Sequence, residues 1–202
     1  SLRDANKRAD EALKEIEWLK KEVGKLKADK QVRTMYKKAT DTLTAKAWLD
    51  KGIGLGTAQK HKDALSAFTK AIEIDPQYGA AYYNRGTVKS DLKNYQGALQ
   101  DYDKAIQLNP NYVKVYNNRG NVKHDLKNYQ GALQDYDKAI KLDPNFALAY
   151  YNRGNVKYDL KNYQGALSDY NKAIELNPVY KKELLKMLEE ISRIINNKGL
   201  NT

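Results

Sequence analysis

The chain contains only four prolines, Pro76, Pro110, Pro144 and Pro178, and they stand 34 residues apart. Gly52, Gly86, Gly120 and Gly154 keep the same step, as do Ala71, Ala105, Ala139 and Ala173. A fixed period of this length means repeats, each a small unit that cannot bury its apolar face alone and must stack on a neighbour. The frame gives four units: 45–78, 79–112, 113–146 and 147–180. The second and third agree at 25 of 34 positions, so the period is a register and not an accident of composition.

Each unit reads as two helices. In 113–146 the first runs from Val113 to Leu126, with Tyr116, Gly120, Val122 and Leu126 turned inward. Lys127-Asn128 breaks it, and Asn128 is placed to cap the second helix. That helix carries Ala132, Leu133, Tyr136, Ala139 and Ile140 at steps of three and four, one apolar stripe. Asp143-Pro144 ends it, because a residue before proline is pushed out of helical geometry. Gly120 and Ala132 let the two helices approach, and Ala139 leaves room for the next unit. Tyr116, Tyr129 and Tyr136 fill the gaps and are expected to keep their hydroxyls near water.

These residues resemble the tetratricopeptide-repeat family. Trp48, Gly52, Leu55, Ala64, Phe68, Ala71 and Pro76 carry the pattern in the first unit; Tyr82, Gly86, Tyr95, Ala98, Tyr102, Ala105 and Pro110 carry it in the second. The resemblance covers 45–180 and implies an all-α fold, an α-solenoid wound as a right-handed superhelix. Arg85, Arg119 and Arg153 depart from it where the family more often has leucine, and His61 replaces the loop tyrosine. Gly54 and Gly56 should each loosen the first helix by about 1 kcal/mol relative to alanine.

The flanks follow other patterns. In residues 1–44 the apolar residues Leu2, Ala9, Ile16 and Val23 are seven apart, as are Ala5, Ala12, Leu19 and Leu26. Together they form a heptad seam, with Glu15 and Glu22 at g and Lys20 and Lys27 at the following e positions. Two arrangements are open: a parallel homodimer through residues 2–29, or a helix folded back on the array, which off-seam Leu13 and Trp18 favour. Residues 32–43 read as a second helix leading into the first unit. At the other end, 181–197 form an amphipathic helix with Leu184, Leu188, Ile191 and Ile195 on one face, a cap for the open apolar end. Residues 198–202 read as a flexible tail.

Composition narrows the function classes. The net charge of +11 would suggest nucleic acid if it were concentrated. Instead 1–44 hold 12 cationic against 8 anionic residues, and every later segment has an excess of one or two. Phosphate-tracking patches gather their charge on one face, so no nucleic-acid partner is expected. No apolar run approaches the ~20 residues of a membrane span. Cysteine is absent, which removes disulfides, thiolate metal sites and a cysteine nucleophile. That fits a reducing compartment, with the cytoplasm favoured and a bacterial envelope or periplasm open. The chain opens on Ser1, consistent with a trimmed piece of a longer one. His61 and His124, the only histidines, fall in different units, and no metal-binding or phosphate-cradling motif is present. Neither cofactor nor catalysis is expected.

The resemblance implies a site. In the family, the second, fifth, sixth, ninth and twelfth residues of each unit line a concave groove that binds an extended peptide or partner helix. Here the sixth place is constant, Asn84, Asn118 and Asn152, and resembles the asparagine ladder that holds a peptide backbone. Around it stand Tyr83, Thr87 and Ser90, then Lys114, Asn117, Asn121 and His124, then Tyr151, Asn155 and Tyr158. The second and third units differ at groove places, whereas Asp91–Ile106 and Asp125–Ile140 are identical, as a diversified binding surface requires. A protein-binding adaptor is the leading reading; an oligomeric or envelope scaffold built by the N-terminal helix is the second. A minor one is the family's clamp for a chaperone carboxylate tail. Asn121, Asn152 and Lys182 match three of its five places; Asn117 stands where lysine belongs and Lys186 where arginine belongs.

Overall fold

The computed structural model describes residues 2–25 and 30–199. They fall into two compact units, Ser1–Pro110 and Asn111–Thr202. The first unit holds α1 (Leu2–Lys25), α2 (Lys30–Thr57), α3 (His61–Ile74), α4 (Gly79–Asp91) and α5 (Tyr95–Leu108). The second holds α6 (Val113–Asp125), α7 (Tyr129–Leu142), α8 (Ala147–Asp159), α9 (Tyr163–Leu176) and α10 (Tyr180–Gly199). No strand occurs among the described residues, and no helix is long and apolar enough to cross a membrane.

Every repeat is closed by one aromatic ring laid on one glycine: Phe68 on Gly52, Tyr102 on Gly86, Tyr136 on Gly120 and Tyr170 on Gly154. A Cβ built on Gly120 would stand 2.7 Å from Tyr136 Cε1, and one on Gly154 2.6 Å from Tyr170 Cε1, closer than two carbons can pack. All four rings are buried to within 1 % of complete. Burial of each stabilises its helix pair by about 2–3 kcal/mol. The buried hydroxyls do not reach water as expected. They donate to Thr87 Oγ1 at 3.4 Å, Asn121 Oδ1 at 2.7 Å and Asn155 Oδ1 at 2.9 Å, since a phenol this deep needs a protein acceptor. Burial also pushes the Tyr136 and Tyr170 phenols well above their ordinary value.

The turn inside each repeat is equally regular. Lys93, Lys127 and Lys161 sit at φ 58°, 61° and 59°, in the left-handed region. Lys127 N–H donates to His124 O, and Asn128 N–H to Lys123 O, which closes the end of α6 as a Schellman motif. Asn128 then starts the next helix by accepting from Gly131 N–H at 3.0 Å, the cap expected of it; Asn94 and Asn162 do the same. Leu126, expected to point inward, is 47% exposed because α6 has already ended at Asp125.

The N-terminal flank differs from expectation in one respect. The helix read over 32–43 and the first helix of the first repeat are one continuous α2, so the boundary at residue 44 falls inside a helix. Nothing between Leu43 and Ala45 breaks it, and the Thr44 hydroxyl donates back to Thr40 O. On this helix α1 lies antiparallel, with Ala9 and Ile16 of the seam buried, Lys51 bridged to Asp10 at 2.6 Å and Lys20 to Asp41 at 3.1 Å. Leu26, Lys27 and the side chains of Leu2 and Ala5 lie outside the described residues. A dimer through residues 2–29 would have to displace α2 from Ala9 and Ile16. Gly54 has a packing reason here: the space its Cβ would fill is held by the Asn6 amide of α1. At the other end α10 continues to Gly199, past the expected 197, and residues 200–202 lie outside the described range.

Two predictions follow from this packing. Gly120→Ala should lower stability by about 1–3 kcal/mol in urea unfolding, whereas Lys127→Gly should raise it by about 1 kcal/mol. Stability should also fall once the pH rises above about 10. There the unfolded tyrosines lose their protons while Tyr136 and Tyr170 keep theirs, so the folded state binds more protons and alkali favours unfolding. Thermal melts from pH 8 to 11 should show this, and Tyr136→Phe with Tyr170→Phe should flatten the alkaline slope.

Candidate peptide-binding faces

The expected binding residues sit on the first helix of each repeat, and the structure shows how each is held. In the first unit Asn84 donates from Nδ2 to Ala80 O, one turn back, at 2.8 Å. Thr87 donates to Tyr83 O at 3.1 Å while accepting from Tyr102. The Tyr83 ring is half-buried, 6.3 Å from that of Tyr102. All three present part of their surface to solvent.

In the second unit the amides form a relay. Asn152 Nδ2 donates to Asn117 Oδ1 at 2.9 Å, and Asn117 Nδ2 donates to Asn118 Oδ1 at 3.2 Å. Asn117 is 1% exposed, so this residue, expected to face a ligand, instead ties α8 to α6 from beneath. The asparagine row is therefore half-buried and oriented, not a set of loose surface amides. Asn121 and Asn155 each hold a buried tyrosine hydroxyl through Oδ1. His124 Nε2 lies 2.7 Å from Asp159 Oδ2, with its ring 5.7 Å from that of Tyr129. Lys114 and Lys182 are exposed.

On the last first-helix face two part-exposed tyrosines reach side chains of α10. Tyr151 stacks on Tyr180 at 5.1 Å and donates to Glu183 at 2.8 Å; Tyr158 donates to Glu190 at 3.0 Å. Burial, then the bond to Glu183, raises the Tyr151 phenol above its ordinary value; the bond to Glu190 raises that of Tyr158. Of the residues matched to the carboxylate clamp, Asn121 and Asn152 hold partners inside the fold, Asn117 is buried, and Lys182 and Lys186 are exposed.

One constellation escaped sequence reasoning. Asp101, Asp135 and Asp169 are at most 4% exposed, yet each is fully paired. Arg119 holds Asp135 through Nε at 2.9 Å and Nη2 at 2.5 Å, and Lys123 adds a third contact at 2.7 Å. Arg85 and Lys89 hold Asp101 in the same way, and Arg153 and Lys157 hold Asp169. The arginines that depart from the family's leucine are thus one half of a buried ion pair that locks a repeat's two helices together. The signal was present: arginine and aspartate recur 16 apart with lysine between, and the first repeat changes all three at once, to Lys51, Leu55 and Ala67. Among the described residues no three histidine or acidic side chains converge as metal ligands.

Comparison with known proteins gives these faces a context. Models described as "Tetratricopeptide repeat" match residues 79–112, 147–180 and 101–134, and one described as "TPR repeat" matches 120–161. Together they run unbroken from 79 to 180. The chain belongs to the tetratricopeptide-repeat family, and its fold is that family's all-α solenoid of repeats. No curated protein matches it. Among solved structures, MamA is 25% identical, covering 68% of this chain and 81% of its own, with a TM-score of 0.63. YrrB, described as a TPR protein with an unusual peptide-binding site, is 25% identical over 73% of this chain and 78% of its own, at 0.59. The first TPR of Spaghetti (RPAP3), bound to the HSP90 peptide SRMEEVD, is 27% identical over 59% and 95%, at 0.58. Such repeats make this chain a protein-interaction module.

Asp135→Ala should cost about 3–5 kcal/mol in urea unfolding, because Arg119 and Lys123 lose their buried partner. Adding Arg119→Leu should recover most of that loss, as the first repeat manages with Ala67 and no arginine.

Proposed function

We propose that the first-helix faces of each unit bind extended segments of a partner protein, with Asn84 in the first and Asn118 and Asn152 in the second contacting backbone. One observation carries this reading. The second and third repeats are identical across Asp91–Ile106 and Asp125–Ile140, while they differ at solvent-reaching first-helix places such as Ala80/Lys114, Thr87/Asn121 and Ser90/His124. A surface varied on a copied framework suits recognition of side chains along a peptide.

The amide geometry supports it. Asn84 and Asn152 each use one Nδ2 hydrogen inside the fold, which fixes the amide plane and leaves its carbonyl as an acceptor. A fixed acceptor loses little entropy when it takes a backbone N–H. Tyr83, Tyr151 and Tyr158 supply aromatic contacts, and Thr87, Lys114, Asn121, His124, Asn155 and Lys182 set local preference. Asn117 acts from below, by orienting Asn118 and Asn152. Peptide binding by YrrB and by the first TPR of Spaghetti is in keeping with this assignment.

Selection of a phage-displayed random peptide library on the folded chain tests it. The selected peptides should bind with micromolar dissociation constants. Asn84→Ala, Asn118→Ala and Asn152→Ala combined should weaken them at least about tenfold with helicity unchanged. Undiminished binding by the triple variant would remove the assignment.

A further inference from the structure

The cationic excess of residues 1–44 lies wholly in its later part. Residues 1–13 are balanced, three against three, while 14–43 hold nine cationic against five anionic side chains. That stretch is the second half of α1 and the part of α2 that precedes the first repeat. It also holds half of the exposed large apolar side chains among the described residues: Trp18 at 60%, Met35 at 72%, and Leu19, Val32, Tyr36 and Leu43. None of these stands at a first-helix place of a repeat, so the peptide-binding faces leave them unexplained.

A second observation lies between the two helices. There an open cleft of about 400 Å³ has Val23 and Tyr36 on its walls, with Lys20, Arg33 and Lys37 against Asp41. Asp41 is bridged to Lys20 at 3.1 Å, and beside the cleft Glu22 is bridged to Lys25 at 2.6 Å. The other anions of the stretch, Glu15, Glu17 and Asp29, are already in the count of five. Charge and exposed apolar surface therefore coincide at one end of the α1–α2 pair.

The structure assigns this end of the pair to the surface of an anionic lipid bilayer. The contact is peripheral, since no helix is long and apolar enough to cross. The directions of the apolar side chains favour lipid over other polyanions. Ile16 and Thr40 are buried on the facing sides of α1 and α2. Trp18 lies two residues past Ile16, roughly 200° around its helix, and Met35 five before Thr40, roughly 140° around. The two side chains thus leave the pair on opposite outer sides. A single partner helix reaches one side, and a nucleic acid answers the charge while leaving both in water. A fluid headgroup layer closes around both. Tryptophan and tyrosine favour the membrane–water interface, and clustered lysine and arginine attract anionic headgroups. In the cleft, Lys37 and Arg33 would meet a lipid phosphate while Tyr36 and Val23 meet its apolar neighbour.

The test uses the full chain with Trp48→Tyr, the residue the other three repeats have at that place, so that Trp18 is the sole tryptophan. Vesicles are phosphatidylcholine alone or with about 30% phosphatidylglycerol. The chain should sediment with the anionic vesicles at least about tenfold more tightly than with the neutral ones. Trp18 emission should move to shorter wavelength as its ring leaves water. Lys37→Gln with Lys38→Gln, both exposed, should weaken binding at least about tenfold, at about fivefold per charge. Met35→Ser with Tyr36→Ser should weaken it at least about fivefold. If that variant loses helicity, Trp18→Ser replaces it, read by sedimentation, with the same expected direction. Equal affinity for the two vesicles, unshifted Trp18 emission in the bound chain, or undiminished binding by either double variant overturns the proposal. So does binding of duplex DNA or polyglutamate as tightly as anionic vesicles, which would make this a general polyanion surface. A concentration-dependent Trp18 shift without vesicles, accompanied by dimer in sedimentation, overturns it too, because the occupant would then be a second copy of the chain.

Discussion

An aromatic ring lying directly on a glycine sets the distance between the two helices of every repeat. Tyr136 can be fully buried only because Gly120 has no side chain, and the pairs Tyr102–Gly86, Tyr170–Gly154 and Phe68–Gly52 repeat the arrangement. Once the helices stand this close, other choices follow. The phenol must find an acceptor on the opposite helix, which recruits Thr87, Asn121 and Asn155. The connecting turn must be short, which puts Lys93, Lys127 and Lys161 into a left-handed conformation that costs about 1–2 kcal/mol each.

The buried aspartates form the second layer of this logic. Arg119 and Lys123 saturate Asp135 from the same helix, one turn apart, and so fix how α6 rotates about its own axis against α7. A paired charge in the interior adds little net stability compared with an apolar substitute, but removing one partner is costly. Rotation matters because the opposite side of that helix carries the residues proposed to meet a ligand. The same reasoning explains the first repeat. With Lys51 no longer tied to an aspartate at position 67, its ammonium is available to bind Asp10, and that bridge helps dock α1.

Much of this was legible in the sequence because it is periodic. The 34-residue step identified four helix pairs, Gly120 as a close-approach point and Asn128 as a cap. The misses arose where a contact joins elements that no local pattern connects. Leu126 fits an inward spacing, yet α6 ends one residue before it. Residues 32–43 and the first repeat share a helix because no breaker separates them, an absence that repeat boundaries tend to hide. Of the candidate site, the positions were readable but their state was not: Asn117 looks like Tyr83 and Tyr151 in register, and only packing shows it buried under the amide relay. The ion pairs could have been found, since arginine, lysine and aspartate change together in the first repeat.

The functional account rests on the half-buried, oriented amides of the first helices being the surface that meets a partner segment. Residue-resolved NMR of the labelled chain during titration with a selected peptide tests it most directly. The account predicts that the side-chain amide signals of Asn84, Asn118 and Asn152 shift together and saturate, with α5, α7 and α9 little changed. Shifts confined to the second helices, with those three amides unmoved, would contradict it.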